Sequence, residues 1–167
     1  MKLNKLLGFI ALPFLAVTLV AQEVEEVVIT GSYIKSSPTD GASPVEIIGR
    51  DEIDNLNATT IADITANIAV NSGSENNSDS FTQGSTQGTS NINIRGLGLS
   101  STLVLIDGKR QTLYSSTAND GSVFVNTSAI PVIALDRVEV LKEGAASVYG
   151  SDAVAGVVNY ILRKDFT

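Results

Sequence analysis

Four cations are the residues best placed to do chemistry in this chain: Arg95, Arg137, Lys142 and Arg163. Each sits on or at the end of an apolar run that reads as a β-strand. Any one of them alone reads as a strand-end charge snorkelling to water. Several together suggest a basic belt that meets carboxylates of another body, because a guanidinium pairs with a carboxylate two-pronged. The parts for bond-breaking chemistry are missing. The sequence contains no His and no Cys, which removes the commonest general base, the commonest zinc ligand and every thiolate. Gly96-Leu97-Gly98 is followed by Ser101 where a dinucleotide fingerprint needs a third glycine. Glu75 and Asp79 lie in a polar loop whose spacing matches no calcium loop. The acids are scattered, with no pair set for glycoside hydrolysis. The residues therefore read as those of a non-enzyme with no catalytic group, metal or cofactor.

The balance of 11 Lys+Arg against 18 Asp+Glu leaves a net charge of −7, which speaks against a nucleic-acid partner. Aromatics are 5% of the residues and Trp is absent, too few for the aromatic girdles of a membrane barrel. Lys2 and Lys5 precede a charge-free apolar run, Leu6 to Val20, and Ala21 offers a small residue for cleavage. The run is short of the roughly 20 residues of a membrane span and Pro13 interrupts it, so residues 1–21 read as an export signal.

Residues 22–43 read as a flexible N-terminal segment whose one feature is Glu25-Glu26-Val27-Val28-Ile29-Thr30-Gly31. Its β-branched run favours an extended backbone free to pair with a partner's sheet edge; on pattern alone it is equally an ordinary first strand. The folded domain spans residues 44–167. Pro44–Ile48 reads as a strand and Arg50–Leu56 as a helical turn. A helix opens at Thr60, with Asp63 completing a short capping box and Ile61, Ile64 and Ile68 on one face. Ser72 to Ser90 is polar and reads as a long mobile loop. Asn91 to Arg95 alternates as a half-buried strand. Thr102 to Ile106 reads as a strand covered on both sides, with a hairpin turn at Asp107-Gly108. Beyond it come a short strand at Val123–Val125, a helix from Ala129 to Leu135 capped by Ser128, a strand over Asp136–Lys142, a helical turn at Ala145–Tyr149 and a last strand at Val157–Arg163.

Read in series, EEVVITG (Glu25–Gly31), SPVEII (Ser43–Ile48), NIRGLG (Asn93–Gly98), TLVLIDGKR (Thr102–Arg110), DRVEVLKEGAASVYGSDAVAGVVN (Asp136–Asn159) and YILRKDF (Tyr160–Phe166) resemble the plug domain of TonB-dependent outer-membrane receptors. The resemblance implies an α+β fold, a small mixed β-sheet with short helices and long polar loops, seated in a barrel of 22 strands. It implies transport across the Gram-negative outer membrane, with Glu26, Val27, Val28, Ile29, Thr30 and Gly31 as the TonB box, exposed to the periplasm and bound by the TonB C-terminal domain. It makes Arg95, with Arg137 or Lys142, a latch to barrel carboxylates. The loops carrying Phe81, Gln83, Leu99, Ser100 and Tyr114 would face a polar small ligand, a glycan or a siderophore, with the Ser/Asn/Gln-rich loop leaning toward a glycan. Only four residues separate the expected cut from the box, leaving no room there for a signal-relay extension. A full barrel needs on the order of 220 strand residues beyond Phe166, so the chain is expected to be a fragment of a receptor, the alternative being a barrel-less periplasmic binding protein or a truncated gene product.

Overall fold

The computed structural model describes Thr30, residues 45–76 and residues 84–164. Its centre is a five-stranded mixed sheet in the order β1-β4-β5-β2-β3. The strands are β1 (Val45–Ile48), β2 (Thr102–Ile106), β3 (Lys109–Arg110), β4 (Leu135–Leu141) and β5 (Gly156–Leu162). β2 and β5 run parallel, and every other pair is antiparallel. Three short helices accompany the sheet: α1 (Arg50–Asn55), α2 (Ile61–Ala66) and α3 (Ala146–Tyr149).

The alternation of side chains along each strand divides the sheet into two faces. One carries Val104, Val138, Val140, Val158 and Tyr160 and packs against Ile53 of α1, Ile61 and Ile64 of α2, and Ile68, Ile92 and Ile94. The other carries Leu103, Leu105, Leu141 and Val157 and packs at one end on Ala145 and Ala153. Burial on both faces explains why β2 and β5 are continuous apolar runs.

The capping box at α2 forms as read. The Asp63 N–H donates to Thr60 Oγ1 at 3.3 Å, and the Thr60 N–H donates back to Asp63 Oδ2 at 2.8 Å. The Thr60 and then the Thr59 backbone N–H hold the Asp63 carboxyl below its ordinary range. Thr60→Ala is expected to destabilise the protein by about 1 kcal/mol in urea melts at neutral pH. The Asp63 share of the cap is present above the ordinary carboxylate pKa and fades as the pH falls through the depressed value. The loss caused by Asp63→Ala should therefore shrink in acid, and an undiminished loss at low pH would rule out the reciprocal bond; the loss caused by Thr60→Ala, which keeps the backbone N–H, should change little.

The Asp107-Gly108 turn also forms, with φ of 48° and 74°. Positive φ at both central residues is the type I′ geometry that suits a two-residue hairpin.

Four expectations fail for physical reasons. Asn91–Ile94 forms no strand and, among the described residues, has one isolated bridge, Asn71 to Ile94. Its N–H groups find side chains instead: Asn91 N–H donates to Asn76, Asn93 N–H to Asn71, and Ile94 N–H to Thr102, at 2.8–3.0 Å. All four residues are buried, so the polar half of the alternation is a hydrogen-bonding set and not a wet face. Val123–Val125 forms no strand; the Phe124 carbonyl accepts a single bond from Tyr114 N–H. The helix expected from Ala129 to Leu135 shrinks to a 3-10 turn at Val132–Ala134, because β4 recruits Leu135 into register with Leu162. Within the polar loop, Thr86, Thr89 and Ser90 are buried, and Ser90 Oγ lies 2.6 Å from Thr127 Oγ1. Hydrogen bonding orders this stretch where apolar burial cannot.

Candidate functional site

The second sheet face changes character along its length. Leu103, Val157 and Leu141 form an apolar row near α3, with Val45 of β1 in register. The next row is Leu105, Asn159, Glu139 and Ile47. The last is Ile161 and Arg137. A carboxylate and an amide therefore sit in the middle of the sheet, and Glu139 is 0% exposed.

A buried carboxylate needs compensation. Arg137, two residues along the same strand face, supplies the charge. Its Nε donates to Glu139 Oε1 at 3.0 Å, Nη2 lies 3.0 Å from the same oxygen, and Nη1 lies 2.8 Å from Asp136 Oδ2. The other Glu139 oxygen accepts the hydroxyl proton of Thr30, a residue 109 positions earlier. Asn159 Nδ2 donates to Thr30 Oγ1 at 3.0 Å, and Asn159 Oδ1 accepts the Gly108 N–H at 2.9 Å. One continuous network thus joins the hairpin turn, β5, Thr30, β4 and Arg137. Thr30 is only 5% exposed, which corrects the expectation of an exposed segment at this residue. Glu26, Val27, Val28, Ile29 and Gly31 lie outside the described residues.

The other singled-out residues scatter. Arg95 is exposed, with φ 59°, and its Nη2 donates to the Ala155 carbonyl at 2.8 Å. Lys142 is 38% exposed and its Nζ lies 3.0 Å from Glu46 Oε2. Arg137, by contrast, is 13% exposed and committed to Glu139 and Asp136. Of the loop residues, Phe81 and Gln83 lie outside the described region. Ser100 is exposed and Tyr114 half-buried. Leu99 is buried against Phe124 and Ala118, its side chain held in a small apolar cluster. Tyr114 stacks on Phe124 with ring centroids 5.5 Å apart. Leu99 and Ser100 immediately precede β2, and Tyr114, which follows β3, packs with Leu99 and Phe124; Thr30, through Asn159, and the Asp107-Gly108 turn lie toward the far end of β2.

Glu139 and Asn159 were not singled out from the sequence. Their one signal is a polar residue with apolar neighbours on both sides, Glu139 between Val138 and Val140 and Asn159 between Val158 and Tyr160. Within the network the two Glu139 oxygens, the Thr30 hydroxyl and the Asn159 amide are each engaged by another member. Among the described residues no group of three or more His, Cys, Asp or Glu could hold a metal ion, and no helix is long and apolar enough to cross a membrane.

Comparison with known proteins agrees with this architecture. Residues 37–157 match the family model described as the TonB-dependent receptor plug domain. The chain is 34% identical to the vitamin B12 transporter BtuB of Vibrio vulnificus over 142 residues, 83% of this chain and 21% of that protein. It is 42% identical to the iron-regulated outer membrane virulence protein of Vibrio cholerae serotype O1 over 78 residues, 46% of this chain and 12% of that protein. The chain thus matches only a small part of the length of these relatives. Among solved structures, the ferric enterobactin receptor PfeA of Pseudomonas aeruginosa superposes with a TM-score of 0.57 at 27% identity, covering 77% of this chain and 19% of that one. The siderophore receptor PirA of Acinetobacter baumannii gives 0.53 at 28% identity, covering 74% and 18%.

Proposed function

This chain belongs to the TonB-dependent receptor plug-domain family, and from that premise we propose that it gates an outer-membrane transporter by a pull on the segment that contains Thr30. The observation that carries this reading is the seat of Thr30 on the sheet. It joins the N-terminal segment to Glu139 and Asn159, and through Asn159 to the turn at the far end of β2 from the ligand-facing loops. In this reading residues 26–31 are the strand that a TonB C-terminal domain takes by main-chain pairing. Drawing Thr30 away strips one hydrogen bond from a buried carboxylate, a step of roughly 1.5–3 kcal/mol. A partner strand that forms several new main-chain bonds can offset that cost, so the seat holds at rest and yields under load.

Residues 1–21 direct export, residues 22–43 carry the partner strand, and residues 44–167 form the plug, which works inside the barrel of an outer-membrane receptor. Arg95 meets a barrel carboxylate, and Lys142 suits the second latch better than Arg137, because Arg137 is already committed internally. The relatives include a ferric enterobactin receptor and a siderophore receptor, which favours a siderophore-class ligand over a glycan.

The test uses the absence of cysteine. A single Val28→Cys in a receptor carrying this plug should crosslink to a TonB C-terminal domain bearing a cysteine on its pairing edge, and more strongly when ligand is present. No crosslink at any position from Val27 to Thr30 would defeat the assignment.

A further inference from the structure

The sequence holds three Asp-Gly pairs: Asp40-Gly41, Asp107-Gly108 and Asp120-Gly121. The first lies outside the described residues. In such a pair a carboxyl group stands next to an amide nitrogen that no side chain shields, and the chain can rearrange there without an enzyme. Both described pairs are exposed, but they are held by different means.

At Asp120-Gly121 the bonds are local. The Ser122 N–H and hydroxyl donate to the two Asp120 oxygens at 2.8 and 2.7 Å, and the Gly121 N–H donates to the Ala118 carbonyl at 2.9 Å. The Ser122 backbone N–H and then its hydroxyl hold the Asp120 carboxyl below its ordinary range, which lowers the share of neutral acid from which an oxygen can leave. At Asp107-Gly108 the bonds reach β5. The Asp107 N–H donates to the Tyr160 carbonyl at 3.0 Å, and Asp107 Oδ1 accepts the Leu162 N–H at 2.9 Å. The Gly108 N–H donates to Asn159 Oδ1 at 2.9 Å. Asn159 is 1% exposed, so this acceptor is a fixed part of the sheet.

We propose that Asp107-Gly108 is a latent site of spontaneous aspartyl isomerisation, and that Asn159 is the residue that holds it shut. In the reaction the Gly108 nitrogen gives up its proton and attacks Asp107 Cγ. A carbon–nitrogen bond closes the succinimide ring, and the carboxyl hydroxyl leaves with the amide proton as water. A water from solvent then opens the ring. Attack at Cγ restores aspartate; attack at the Asp107 main-chain carbonyl carbon leaves an isoaspartyl link, with the main chain running through the former side chain. Nothing is oxidised or reduced. The first step needs two things that the fold denies. Cγ must swing to the Gly108 nitrogen, which breaks the bond to Leu162, and the Gly108 proton must leave, which breaks the bond to Asn159. The product carries an extra main-chain carbon, so a two-residue turn no longer fits, and β3, only Lys109–Arg110, loses its register with β2.

Ageing the full 167-residue chain at neutral pH and physiological temperature tests the site. Peptide mapping with electron-transfer fragmentation separates isoaspartate from aspartate at each Asp-Gly pair. In the parent, Asp107 should isomerise at least about tenfold more slowly than in a synthetic peptide of residues 105–110, because the open state is scarce in the folded chain. Asn159→Ala should raise the Asp107 rate about five- to tenfold, the change in open population expected from one lost hydrogen bond, and leave the Asp120 rate unchanged. Thr30→Val, which removes the other partner of Asn159 and keeps Oδ1 in place, should leave the Asp107 rate unchanged. Adding Gly108→Ala to Asn159→Ala should suppress the product at Asp107 alone, since the methyl hinders the attacking nitrogen. A parent rate equal to that of the peptide would overturn the proposal. So would an Asn159→Ala rate equal to the parent's, or a Thr30→Val rate as high as that of Asn159→Ala. If Asn159→Ala unfolds, Asp120 and Asp107 rise together, and the comparisons of the parent with the peptide and with Thr30→Val decide.

Discussion

Arg137→Ala is expected to cost the folded protein about 3–5 kcal/mol. The reason lies in the group left behind. Glu139 is 0% exposed and lies in the centre of the sheet between β1 and β5. Arg137 is its one positive partner among the ion pairs of the described residues. Without the guanidinium, the carboxylate keeps only the Thr30 hydroxyl, and a hydroxyl does not cancel a buried charge. Arg137→Lys should fall between the two, because an ammonium lacks the planar fork that serves Asp136 and Glu139 together. Combining Arg137→Ala with Glu139→Gln should recover most of the loss, since the charge that needed a partner is then gone. Urea melts of the three variants and the parent decide the matter. A loss under about 1 kcal/mol for Arg137→Ala would be the behaviour of an exposed pair and would mean that water reaches Glu139.

Gly156→Ala is the second large effect, at roughly 3 kcal/mol or more. Gly156 opens β5, opposite Thr102 in the parallel pair. A Cβ there would stand 2.4 Å from the Leu141 carbonyl oxygen and 2.8 Å from Ile94 Cδ1, at a φ of +155°. The isoleucine methyl can turn away. The carbonyl belongs to the backbone of β4, next to β5, and cannot move without disturbing the longest strand pair of the sheet. Gly108→Ala is the control. It has φ +74° but nothing within 4 Å of the added methyl, so it should cost only about 1 kcal/mol from backbone strain. If the two variants melted alike, the close approach of β4 to Gly156 would be wrong.

What the sequence settled by itself was local. Asp107-Gly108 makes its turn because two adjacent residues tolerate positive φ. Thr60 and Asp63 cap α2 because three residues separate a hydroxyl from a carboxylate. The segments at 102–106, 135–141 and 156–162 became strands within a residue or so of where alternation and β-branching put them. Their order along the chain, with the glycine turns between them, was enough to identify a family. The tertiary structure alone decided what the polar residues inside those runs are for. Asn91 and Asn93 alternate with isoleucines as a solvent-facing strand would, yet they are buried, because side chains of Asn71, Asn76 and Thr102 take the place of a neighbouring strand. Arg137 looked like the other strand-end cations until the sheet put it beside a fully buried Glu139. Thr30 meets Glu139 across 109 positions and Asn159 across 129. Periodicity and propensity act over a few residues, whereas a contact of that span exists only after β4 and β5 have assembled into one face for Thr30 to meet.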